Sequence, residues 1–79
     1  MTYYVYAIKS LLKNYIYVWL TNNLERRFNQ HNSGQNKTTK PYTPYKIIYE
    51  EKYITRNEAR IKEKYFKSWC GKEFLKWIQ

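Results

Sequence analysis

At 79 residues the chain has room for one domain with a thin core, burying only about 60% of its unfolded surface. Its single cysteine, Cys70, excludes an internal disulfide, no Cys/His cluster has zinc spacing, and no apolar run approaches the ~18 residues of a membrane span. Fifteen Lys and Arg against six Asp and Glu give a net charge of +9, which on so small a body points to a polyanionic partner.

The first element in the chain is a strand. Tyr3 to Ile8 (YYVYAI) is a β-rich run, and alternation sets Tyr4, Tyr6 and Ile8 on one face. KSLLKN joins it to a second strand, Tyr15 to Leu20 (YIYVWL), as a hairpin, with Tyr15, Tyr17 and Trp19 sharing a face. Asn22 and Glu25 then have the spacing of a capping box, and the helix they open ends at Gly34. Leu24, Arg27, Phe28 and His31 fall on one stripe of that helix, so Leu24 and Phe28 anchor it while Arg27 and His31 are carried toward the sheet.

Residues 35–44 read as a polar loop and Tyr45 to Tyr53 as a third strand. Thr55 and Glu58 form a second capping box, opening a helix that runs to about Trp69. Gly71 breaks it before a short terminal helix. Along this helix Ala59, Phe66 and Cys70 lie to one side of Glu63, and Arg60, Lys64 and Lys67 to the other. The fold class is α+β: a three-stranded antiparallel sheet flanked by helices in the order β-β-α-β-α-α, with residues 1–79 as one domain. Ten Tyr, three Phe and three Trp must build its core, and tyrosine suits a thin core because its hydroxyl can stay near water. The start of the chain has no basic n-region, so no signal peptide is predicted. One free thiol suits the reducing cytoplasm.

The tripeptides Tyr4–Tyr6 (YVY) and Tyr17–Trp19 (YVW), the run TNNLERRFNQHNSG, and EARIKE at Glu58 to Glu63 together resemble the GIY-YIG nuclease superfamily, in particular its small stand-alone bacterial members. The resemblance spans Tyr3 to about Phe74. It implies an endonuclease that hydrolyses DNA phosphodiester bonds with one Mg²⁺ or Mn²⁺ ion, on duplex or branched DNA, with RNA left open as a substrate. It also implies roles. Tyr17 matches the general base that takes a proton from the attacking water, and Tyr6 a supporting tyrosine. Arg27 matches the arginine that neutralises the scissile phosphate, His31 a position held by His or Tyr, and Glu63 the metal-binding glutamate.

These residue types suit that chemistry. Phosphoryl oxygens gather negative charge in the transition state, arginine presents a planar fork to phosphate, and a Mg²⁺ site often has only one or two carboxylates. A tyrosine needs nearby positive charge to act as a base at neutral pH, and Arg27 with the metal would supply it. Read without the resemblance, Tyr6 and Tyr17 are sheet packing, Arg27 and His31 rim the core, and Glu63 is a surface glutamate paired with Arg60 or Lys67. Trp19 departs from the family, which has glycine there. Two residues along the strand from Tyr17 and on the same face, an indole takes room at the site, which predicts suppressed cleavage with DNA binding kept. The alternative is a catalytically silent nucleic-acid-binding module, and a protein-protein adaptor rests on the aromatics alone.

Overall fold

The computed structural model describes residues 2–35, 37 and 40–78. Its elements are β1 (Tyr3–Ser10), β2 (Ile16–Thr21), α1 (Leu24–Asn32), a 3₁₀ turn (Lys40–Tyr42), β3 (Tyr45–Tyr53), α2 (Arg56–Lys67) and α3 (Trp69–Trp77). β1 lies in the middle of the sheet, with β2 and β3 antiparallel on either side. The α+β class and the order β-β-α-β-α-α are those read from the sequence. Positions 36, 38 and 39 of the polar loop lie outside the described residues.

Alternation along β1 splits the core in two. Val5 and Ala7 join Val18, Ala59, Phe66 and Leu75 on the face covered by α2 and α3. Tyr6 and Ile8 join Tyr45 on the other face, where Tyr17, Trp19, Leu24 and Phe28 pack, under α1. A register shift between Ala7 and Ile8 then changes the parity of β3. Tyr45 and Ile47 face α1, whereas Tyr49 and Tyr53 face α2 and α3. With strict alternation all four would share one face.

The termini of α1 differ in one respect from the sequence expectation. The cap is Asn23, whose side chain accepts from the Arg26 N–H at 3.1 Å, and not Asn22. Thr21 Oγ1 accepts from the Asn23 N–H at 3.1 Å, which turns the chain one residue later than the Asn22–Glu25 spacing suggests. The far end follows the expectation. Gly34 has φ +79°, the Gln35 N–H reaches the Gln30 carbonyl at 3.1 Å and the Gly34 N–H the His31 carbonyl at 3.3 Å, the bond pair of a Schellman motif. Asn32 then ties this helix end to β3, since its side chain accepts from the Tyr45 N–H at 2.6 Å and donates to the Tyr45 carbonyl at 3.3 Å.

The C-terminal helices also depart from expectation. α2 does begin at the predicted cap, with Thr55 Oγ1 accepting from the Glu58 N–H. It stops at Ser68, which closes α2 and caps α3 through the Gly71 N–H. Gly71 is therefore inside α3 and does not end a helix. A Cβ there would sit 2.1 Å from the Tyr65 carbonyl oxygen and 2.4 Å from Phe66 Cα, so glycine is what lets α3 fold back against α2. The same bend removes Cys70 from the Ala59–Phe66 stripe and leaves it exposed.

Candidate active site

The sheet and α1 bring four of the five sequence-predicted residues together on one face. Tyr6 and Trp19 are direct partners across β1 and β2, as are Ile8 and Tyr17. Directly opposed residues on one face of an antiparallel pair have Cβ atoms about 5 Å apart. α1 lays His31 over this pair. Its Nε2 is 3.2 Å from the Tyr6 hydroxyl, and both side chains have 0% exposure. Burial pushes the Tyr6 hydroxyl well above its ordinary range, and the Arg27 guanidinium offsets this only in part. Burial, reinforced by the Arg27 charge, holds His31 down to about 4, so the imidazole is neutral at pH 7. A hydroxyl that keeps its proton and a neutral imidazole share this hydrogen bond, and which of them donates is set by the tautomer of His31.

Trp19 stands in the middle of this group. Its ring is 4.9 Å from that of His31, the Arg27 guanidinium carbon lies 5.3 Å from its centroid, and the Lys67 ammonium 6.0 Å. Such distances are in the range of cation–π attraction. The indole N–H is buried and has no hydrogen-bond partner among the described residues. An unmade buried hydrogen bond costs roughly 1–3 kcal/mol. The ring is therefore held for its bulk and its aromatic face, and its polar edge adds nothing. Trp19 lies on the same side of the sheet as Tyr17, as alternation predicted.

Glu63 arrives from the opposite face. α2 packs on the other side of the sheet through Ala59 and Phe66, and β2 is the edge strand nearest it. Lys67, one turn beyond Glu63, reaches past that edge to Trp19, and its ammonium is 3.4 Å from the Glu63 carboxylate. Glu63 thus joins the group through Lys67, one of the two partners its helical spacing suggested. Lys67 itself was not read as part of the site. Its position four residues after a candidate ligand was the available signal.

Tyr17 has surroundings unlike those expected of a base. Its ring stacks with Tyr15 at 6.4 Å and meets the edge of Tyr45 at 5.9 Å. Burial and then Tyr15 raise its hydroxyl above the ordinary value. The expected lowering by Arg27 is not found: Arg27 acts on Tyr6 and His31 and is not among the groups that shift Tyr17. Arg27 donates to Gln30 Oε1 at 3.2 Å and has no carboxylate partner in the ion pairs Lys67–Glu63 and Lys76–Glu73 of the described residues.

A hard divalent cation fits one feature of this set. Among the described residues no three His, Cys, Asp or Glu side chains converge, which suits neither zinc nor another soft-ligand metal. Mg²⁺ and Mn²⁺ need less from the protein, one carboxylate with water and phosphate oxygens completing the shell. Glu63 offers that carboxylate, since its partner Lys67 is 53% exposed in its side chain and such a pair is readily displaced.

The chain matches the GIY-YIG catalytic domain over residues 2–76. It is 33% identical over 78 residues to a UPF0213 protein of Staphylococcus haemolyticus, covering 98% of this chain and 94% of that one. It is 36% identical over 76 residues to a UPF0213 protein of Clostridium perfringens, covering 95% and 81% of the two. The solution NMR structure of a UPF0213 protein from Bacillus halodurans superposes with a TM-score of 0.60 at 27% identity, covering 100% of this chain and 86% of that one.

Proposed function

The chain belongs to the GIY-YIG catalytic domain family, and on that premise we propose that it is a single DNA-binding nuclease-type domain whose phosphodiester-cleaving site is held shut by Trp19. The observation that carries this reading is the indole among Arg27, His31 and Lys67, on the sheet face of Tyr17. A scissile phosphate has to meet Arg27, and the Trp19 ring already lies against that guanidinium. Misplacing reacting groups by about 1 Å is enough to cost about a hundredfold in rate.

The roles follow from chemistry at each atom. Arg27 grips the phosphate with a guanidinium that pairs with no carboxylate among the described residues. Tyr17 is the base for the attacking water, and its raised pKa makes it a poor one until positive charge is brought near. Tyr6 and His31 form a buried pair that sets the floor of the site. Glu63 would hold Mg²⁺ or Mn²⁺, which supplies charge neutralisation to the phosphoryl oxygens when bound. The single free thiol suits a reducing cytoplasm. Among the described residues no helix is long and apolar enough to cross a membrane. The second reading, a silent nucleic-acid binder, differs in one respect: removing Trp19 would then leave the chain inactive.

Two titrations test this. DNA affinity should fall steeply with salt, because each phosphate contact contributes close to ~0.9 to the log–log slope on duplex DNA. A flat affinity between low and moderate salt contradicts the nucleic-acid reading. Mn²⁺ binding should be abolished by Glu63→Gln with the fold intact. An unchanged metal titration in that variant contradicts the assignment of Glu63.

A further inference from the structure

A cleft of about 310 Å³ opens beside the candidate site, between the end of β2, α1 and the start of α2. Arg26, Arg27 and Arg56 line it together with Thr21, Asn22 and Gln30. No Asp or Glu is among its described lining residues, whereas two neighbouring clefts along α1 carry Glu25, one of them with Glu50 as well. The ion pairs Lys67–Glu63 and Lys76–Glu73 of the described residues use none of these arginines.

We propose that this cleft binds nucleic-acid backbone phosphates that flank the one addressed at the candidate site, an inference that rests on the nucleic-acid reading above. Consecutive residues on a helix are about 100° apart. Arg27 therefore turns in against Trp19 while Arg26, exposed, turns out, and the cleft takes in both. The strand thus has a continuous cationic path from Arg27 outward. Arg56 approaches from another element as the first residue of α2, where the positive end of the helix dipole adds charge of the same sign. Three guanidinium groups around one cleft repel one another, and a polyanion relieves that repulsion. Their planar forks match phosphate oxygens two at a time, which lysine does not. Thr21, Asn22 and Gln30 add neutral polar groups of the kind that position a sugar–phosphate backbone without reading sequence.

The test is fluorescence anisotropy with a labelled DNA duplex over a salt series, comparing wild type with Arg26→Gln/Arg56→Gln. Both side chains are exposed, so the fold should be retained, as a thermal melt would verify. A control removes equal charge from the opposite edge of the sheet: Lys46→Gln/Lys52→Gln on β3. The inference predicts that the arginine variant lowers the log–log salt slope by about 2, at ~0.9 per lost contact, while the control leaves it nearly unchanged. Equal losses in both variants mean a diffuse charge effect and overturn the inference, as does an unchanged slope in the arginine variant. If the wild type itself fails to bind DNA, the proposed function falls and takes the cleft with it. Binding by wild type with no effect of the arginines removes the cleft alone.

Discussion

The face of the sheet under α2 and α3 buries Val5, Ala7, Val18, Ala59, Phe66 and Leu75, and the polar groups there, the Tyr49 hydroxyl and the Glu51 carboxylate to which it donates, are only part-buried. The face under α1 buries Tyr6, Ile8 and Tyr45 and adds His31, held neutral, and the indole N–H of Trp19, which has no acceptor among the described residues. One side of a thin domain is thus packed for stability. The other tolerates buried polar groups that each cost free energy, and it is there that Tyr6, Tyr17, Arg27 and His31 gather. The difference teaches where to look for function in a chain with so few residues: on the face where packing alone would have chosen other side chains.

The largest effect should come from the apolar face. Phe66, 1% exposed, packs with Tyr49 at 4.7 Å and Phe74 at 5.9 Å between ring centroids. Phe66→Ala should cost about 3–5 kcal/mol in urea unfolding, a large part of the ~5–15 kcal/mol of a whole domain. A loss below about 1 kcal/mol would mean that this face is not the main core.

Acid should next weaken the α1 face. His31 is held neutral when folded, with a pKa of about 4, and returns to its ordinary 6.5 when unfolded. Its contribution is complete above pH 6.5 and is lost as pH falls, because the unfolded chain takes the proton first. The loss should be about 2 kcal/mol by pH 5 and about 3 kcal/mol by pH 4. Thermal unfolding of wild type and His31→Gln from pH 7.5 to pH 5 checks this, with the pH dependence smaller in the variant. Equal slopes in the two would show that His31 is not buried as a neutral ring.

Smaller effects sharpen the contrast within the site. Trp19→Phe keeps an aromatic ring and removes the unpartnered N–H, so its stability should stay within about 1 kcal/mol of wild type despite the lost volume. A loss of 3 kcal/mol or more in chemical denaturation would mean that the indole N–H is bonded. Glu63→Gln should cost less than about 1 kcal/mol, since Lys67 is half-exposed and the pair is screened by solvent. A larger cost would make Glu63 part of the framework.

Much of this was legible in the sequence because period and cap chemistry are local. The alternation that set Tyr17 and Trp19 on one face, the helical stripe that turned Arg27 and His31 inward, and the glycine that ended α1 are each decided within a few residues. The misses need contacts between distant segments. The parity of β3 depends on a bulge against β1, which YKIIYEEKY does not announce. Gly71 reads as a helix breaker until Tyr65 and Phe66 are seen to press against it. Lys67 joins the site only because the folded chain brings its ammonium to the Trp19 ring, and Arg56 meets Arg26 and Arg27 only in the folded chain. The raised pKa of Tyr17 likewise comes from its burial and from Tyr15, while the charge expected to lower it acts on Tyr6 and His31 instead.

The central proposal is that Trp19 holds the nuclease site shut. The most direct measurement is the rate of DNA cleavage in Mg²⁺ or Mn²⁺ by wild type, Trp19→Gly and Trp19→Gly/Glu63→Gln, on matched duplex and branched substrates, with thermal stability followed alongside. Trp19→Gly should gain metal-dependent cleavage of about a hundredfold or more over wild type while its melting temperature falls, and the added Glu63→Gln should abolish that gain. Wild-type cleavage at a rate that Trp19→Gly leaves unchanged would contradict the claim, and so would a folded, DNA-binding Trp19→Gly chain that cuts nothing.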